Sequence, residues 1–79
     1  SEAADWDAEY ARRVFRWAAG LVREAVTEQT WRAFEATAVA GRSGPEVAEE
    51  LGMSVGAVYL ARSRVMARLK ERVQSVGDE

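Results

Sequence analysis

The chain has no cysteine and no histidine among its 79 residues. Disulfides and thiol chemistry are excluded, and ordinary zinc sites lose their usual ligands. Nothing in the composition calls for an oxidising compartment. Proline occurs once, at Pro45, so helix breaking falls mainly to glycine. No apolar run approaches the ~20 residues of a membrane span. The amino-terminal stretch lacks a basic-then-apolar signal pattern, and the cytoplasm is the expected location. A phosphate-cradling GxxxxGK loop is also missing. Glu49 and Glu50 are adjacent, so on a helix they point to different sides and cannot work as a facing pair. No enzymatic activity, metal or cofactor is expected.

What the chain does have is an uneven distribution of charge. Residues 1–40 carry five arginines against seven carboxylates, and residues 41–52 carry Arg42 against Glu46, Glu49 and Glu50. Each of these segments has a balance of −2. Residues 53–73 hold Arg62, Arg64, Arg68, Lys70 and Arg72 against Glu71 alone, a balance of +4. The tail adds Asp78 and Glu79. One segment can attract a polyanion while the rest of the surface repels it.

The periodicity is helical throughout, with no strand candidate and no internal repeat. It predicts an all-α, four-helix domain over residues 1–79, without winged elements. The start at Ser1 rather than methionine suggests the C-terminal fragment of a longer chain. A first helix is expected over about 5–26. Trp6, Tyr10, Val14, Trp17 and Leu21 form one apolar stripe, with Ala11, Phe15, Ala19, Val22 and Val26 as a second on the opposite side. Two apolar faces require two partners, either within the domain or outside it.

The second helix is expected over about 28–40, with Thr27 at the N-cap, Trp31, Phe34 and Ala38 on one face, Val39 beside it, and Gly41 as left-handed C-cap. Ser43, Pro45 and Glu46 form a capping-box signal for the third helix, whose inner side is Val47, Ala48 and Leu51. Gly52 ends it, Met53 packs under the turn and Ser54 caps the fourth helix, which runs to about Val73 with "QSVGDE" fraying beyond it. The inner face of that last helix is Val58, Ala61, Val65 and Leu69.

A short helix, a glycine turn and a longer helix make a helix-turn-helix over 43–73. In that geometry the second helix enters the DNA major groove, with its first residues nearest the base edges. Ser54, Val55 and Gly56 come first, followed on the outer face by Tyr59, Leu60, Ser63, Arg64 and Ala67. Gly56 removes bulk where backbone would approach DNA. Arg64, Arg68 and Arg72 recur at intervals of four and could follow a phosphate strand. Arg62, at the edge of the inner face, is expected to pair with a glutamate.

The stretch "TWRAFEATAVAGRSGPEVAEELGMSVGAVYLARSRVMARLKE" resembles region 4 of bacterial RNA polymerase sigma factors. The likeness is to the extracytoplasmic-function group, including planctomycete-type relatives. It rests on Trp31, Phe34, Gly41, Glu46, Val47, Ala48, Leu51, Gly52, Ser54, Gly56, Val58, Ser63, Arg64 and Leu69 in combination. It implies recognition of double-stranded DNA at the promoter −35 element in transcription initiation. It also implies docking on the β-subunit flap of the polymerase core, and in this group restraint by an anti-sigma factor. The DNA-binding positions would be Ser54, Val55, Gly56, Tyr59, Leu60, Ser63, Arg64 and Arg68. Flap contact would use the apolar surface of the preceding helices, including Phe15 and Val22. Many relatives carry a basic residue followed by serine where this chain has Tyr59 and Leu60, and another arginine where Ala61 and Met66 stand. Contacts to thymine methyls and to DNA shape would then weigh more.

Two other readings compete. A response-regulator or quorum-sensing (LuxR-type) helix-turn-helix regulator would normally close with a fourth helix used for dimerisation, whereas the extra helix here comes first. A helical protein-interaction module that binds no DNA would account for the acidic overall balance and the two-faced first helix.

Overall fold

The computed structural model describes residues 2–77, with side chains from 7 to 76. Four helices follow in order: α1 (Glu2–Ala25), α2 (Glu28–Phe34), α3 (Gly44–Leu51) and α4 (Val55–Gly77), with a π-helical continuation of α2 at Glu35–Val39. No strand occurs among the described residues. No helix among them is long and apolar enough to cross a membrane.

The starts of α2, α3 and α4 each have a local cause. Thr27 Oγ1 accepts from the Thr30 amide at 3.2 Å, Ser43 Oγ from Glu46 at 3.2 Å and Ser54 Oγ from Ala57 at 3.1 Å. The predicted capping box is only half built. The Glu46 carboxylate accepts from Arg42 Nε at 3.3 Å instead of returning to the Ser43 amide. Gly41 and Gly52 both adopt left-handed backbone, with φ of 71° and 67°, and are the described residues that do so. Beyond Gly52 the Met53 amide reaches back to the Ala48 carbonyl at 2.9 Å, closing the end of α3.

Two small cores lie side by side, and α4 crosses both. Val58 and Ala61 pack with Ala33, Val47 and Ala48, while Leu51 and Met53 close the edge. Val65 and Leu69 pack with Ala18, Val22, Trp31 and Phe34. The predicted inner face of α4 is thus buried at all four positions. Between the cores α2 acts as a wedge, with Trp31 and Phe34 on one side and Ala33 on the other. The Trp31 and Phe34 rings meet at a tilted 46° with centroids 5.2 Å apart, and the Arg23 guanidinium lies 5.9 Å from the Trp31 ring.

Four expectations are corrected. The stripes of α1 are not opposed. At 100° per residue they are the two shoulders of one broad arc, with Ala18 at its centre. Ala18 and Val22 are buried, Val14, Ala19, Leu21 and Val26 are half-buried, and Tyr10, Phe15 and Trp17 stay exposed. The side chain of Trp6 lies outside the described residues. Val22 therefore belongs to the core and is unavailable to a partner.

Secondly, α2 does not continue as a regular helix to Ala40. The Thr37 hydroxyl donates to the Ala33 carbonyl at 2.7 Å, and the amide ladder slips to five-residue steps, with the Ala40 amide on the Glu35 carbonyl at 2.9 Å. Thr37 turns inward, and Ala38 and Val39 face solvent.

Thirdly, the expected fraying after Val73 does not occur before Gly77. Val73 and Val76 extend the apolar stripe of Val65 and Leu69 by helical steps. Ser75 Oγ donates to the Arg72 carbonyl at 2.7 Å. Fourthly, Arg62 does not pair with a glutamate, a difference that bears on the surface of α4.

Candidate nucleic-acid interface

The helix-turn-helix is held rigid where it matters. Gln29 Nε2 donates to the Leu51 carbonyl at 2.8 Å, so α2 fastens the last turn of α3 from a distance of 22 residues in sequence. Arg42 bonds the Glu46 carboxylate and also pairs with Glu50, tying the segment before α3 to its outer face. Glu50, by hydrogen bond and charge, then Glu46, hold the Arg42 guanidinium even above the usual arginine range. With α3 fixed in this way, the direction in which α4 leaves the turn is set by the packing of Val58 and Ala61.

Every residue singled out as DNA-binding is exposed: Ser54, Val55, Gly56, Tyr59, Leu60, Ser63, Arg64 and Arg68. Helical spacing puts Gly56, Leu60, Ser63 and Ala67 on the line pointing away from buried Val58 and Val65. Lys70 borders that line on one side and Arg64 on the other, with Arg68 farther round, while Arg62 lies at the edge of the inner face beside Leu69. Each step of four residues rotates about 40° around a helix. The Arg64, Arg68, Arg72 row therefore winds away, and Arg72 ends about 80° from Arg64. Only the first two border the outer line.

Among the described residues, ion pairs involve Arg32, with Glu28, and Arg42, with Glu46 and Glu50. All the cations of α4 lack a carboxylate partner there. Arg62 belongs with them, which overturns the expectation of an internal pair.

Gly56 has open space where a Cβ would stand, so nothing inside the protein requires glycine at that position. Gly44 is the reverse case. A Cβ there would lie 2.5 Å from Tyr59 Cζ and 2.6 Å from its hydroxyl oxygen. The end of the Tyr59 ring thus rests on the first backbone residue of α3. Sequence reading placed Tyr59 correctly on the outer face but gave no sign of this contact, which spans fifteen positions. Gly44 is the only trace of it in the sequence, beside a cap that does not itself need glycine.

A second surface feature lies at the other end of α4. Tyr10, Ala11, Val14 and Phe15 of α1 face Val73 and Val76 across an open apolar groove of about 510 Å³. A smaller cleft of about 340 Å³ lies between α2 and α3, and it is lined by both charge signs, including Arg32, Glu35, Arg42 and Glu50.

No protein-family model, curated protein or solved structure matches the chain.

Proposed function

We propose that this domain binds double-stranded DNA by seating α4 in the major groove, as the −35-element module of a sigma factor in transcription initiation. Its role is non-enzymatic and cytoplasmic, and it needs no metal or cofactor. The observation that carries the reading is the division of α4. One face is buried through Val58, Ala61, Val65 and Leu69, and the opposite face is open and bordered by cations, Lys70 on one side and Arg64 and Arg68 on the other, that have no carboxylate partner among the described residues. A helix lying in the major groove has a phosphate strand on each side, so cations on both flanks suit that placement.

Leu60, Ser63 and Gly56 would lie nearest the base edges, with Ser54 and Val55 at the mouth of the groove. Arg64, Arg68 and Lys70 would contact phosphates, and Tyr59 would stand at the α3 side. The flap of the polymerase β subunit, or an anti-sigma factor, would take the apolar groove of Tyr10, Val14, Phe15, Val73 and Val76.

Duplex selection from a random pool, followed by fluorescence anisotropy, tests the reading. Neutralising about three to five phosphates gives a log–log salt slope of about −3 to −4.5. Arg64→Ala should weaken binding about equally across sequences and reduce the salt slope by about 1. Failure to enrich any duplex, with no change of anisotropy up to millimolar protein, would sink the proposal.

The second reading, a helical protein-interaction module, is favoured by the open groove between α1 and α4. It would be preferred if residues around Phe15 and Val76 responded to a helical peptide while Ser54–Arg68 stayed indifferent to DNA.

A further inference from the structure

The outer line of α4 is chemically unlike a helix that reads guanine or adenine. Bidentate recognition of those bases needs arginine, lysine, asparagine or glutamine directed at the base edge. Gly56, Leu60, Ser63 and Ala67 supply no amide or cation, and their one polar group is a hydroxyl, which is compatible with any base. The cations stand on the flanks, where phosphates run.

Two side chains in the first turns are long enough to reach a base, Tyr59 and Leu60. Tyr59 is already engaged, because the end of its ring fills the space over Gly44. Val55 and Met66 lie toward the same flank as Tyr59 by helical spacing. Leu60 is half exposed and belongs to neither core cluster. It is the apolar side chain left free on the reading line.

We infer that α4 selects thymine-bearing base steps by packing Leu60 on the thymine 5-methyl group in the major groove, with Tyr59 positioning α4 against α3 instead of touching a base. This rests on the DNA-binding reading above and narrows it to a substrate class. Thymine alone among the four bases presents a methyl group in that groove. Gly56 stands one turn before Leu60, and its missing side chain leaves the groove wall open to close approach. From Gly56 to Ser63 the helix advances about 10 Å, and base pairs succeed one another every 3.4 Å along a strand, so the reading line spans about three base pairs.

The test uses the whole 79-residue chain and its best duplex from the random pool. Each thymine is replaced in turn by deoxyuridine, which removes only the 5-methyl. Losing one buried methyl contact should weaken binding about fourfold at one or two adjacent positions. That penalty should vanish in Leu60→Ala, an exposed substitution whose folding is checked by far-UV circular dichroism. Tyr59→Phe should keep the whole profile. Gly44→Ala pushes the end of the ring out of its seat and should flatten the thymine–uracil discrimination while the helical signal is retained.

If uracil is neutral everywhere, or the penalty survives in Leu60→Ala, the thymine assignment is overturned while DNA binding stands. An unchanged profile in Gly44→Ala overturns the positioning role of Tyr59. If no duplex is enriched, the DNA reading falls and takes this inference with it.

Discussion

The two ends of α4 share one helix and one apolar period, yet they meet different surroundings. At the amino-terminal end, Val58 and Ala61 are enclosed by α2 and α3, the first turn is capped by Ser54, and Tyr59 rests on Gly44. At the carboxy-terminal end, Val73 and Val76 continue the same stripe but face α1 across an open groove. Periodicity states which side of a helix is apolar. It does not state whether anything covers that side.

The two phenylalanines should differ most. Phe34 is 2% exposed and belongs to the core with Trp31, whereas Phe15 is 46% exposed on the groove. Phe34→Ala should cost about 3–5 kcal/mol, enough to leave a domain this small largely unfolded. Phe15→Ala should cost no more than about 0.5 kcal/mol. Urea denaturation measures both, and similar losses would mean that the groove is closed in solution.

The glycines offer the next contrast. Gly52 holds left-handed backbone at φ 67°, and Gly52→Ala should destabilise by roughly 1–2 kcal/mol. Gly56 is helical with open space around it, so Gly56→Ala should leave stability unchanged or raise it by up to about 1 kcal/mol. The same change should weaken DNA binding, because the added methyl lies on the reading line. A variant that is more stable but binds less well would separate folding from recognition at this residue.

Smaller effects follow. Ser54→Ala removes the bond from the Ala57 amide and should cost about 1 kcal/mol in thermal or urea unfolding. Val73→Ser, at the open end of α4, should stay within about 0.5 kcal/mol of the wild type. A loss there as large as that of Phe34→Ala would show that the stripe is covered along its whole length.

Much of the architecture was legible because its causes are local. The caps at Thr27, Ser43 and Ser54 act over three residues, and Gly41 and Gly52 satisfy a backbone requirement of their own. The inner face of α4 followed from spacing alone. The slip after Phe34 was missed because a threonine hydroxyl competing with the amide ladder looks the same in sequence as one facing solvent. Among the candidate site residues, exposure was legible at every position, but the commitment of Tyr59 was not. Arg62 was misjudged because position on a helical wheel does not reveal whether a carboxylate stands opposite.

The amino-acid sequence by itself determined four helices, the break at Gly52 and a basic last helix in an otherwise acidic chain. These follow from hydrogen bonds and spacings contained within a few residues. Tertiary structure alone decided that Val22 is core while Phe15 is surface, that Tyr59 lies on Gly44, and that Gln29 closes α3. Each depends on the angle and distance at which one helix passes another. That geometry comes from the summed packing of side chains such as Trp31, Val58 and Val65, which no single helix contains.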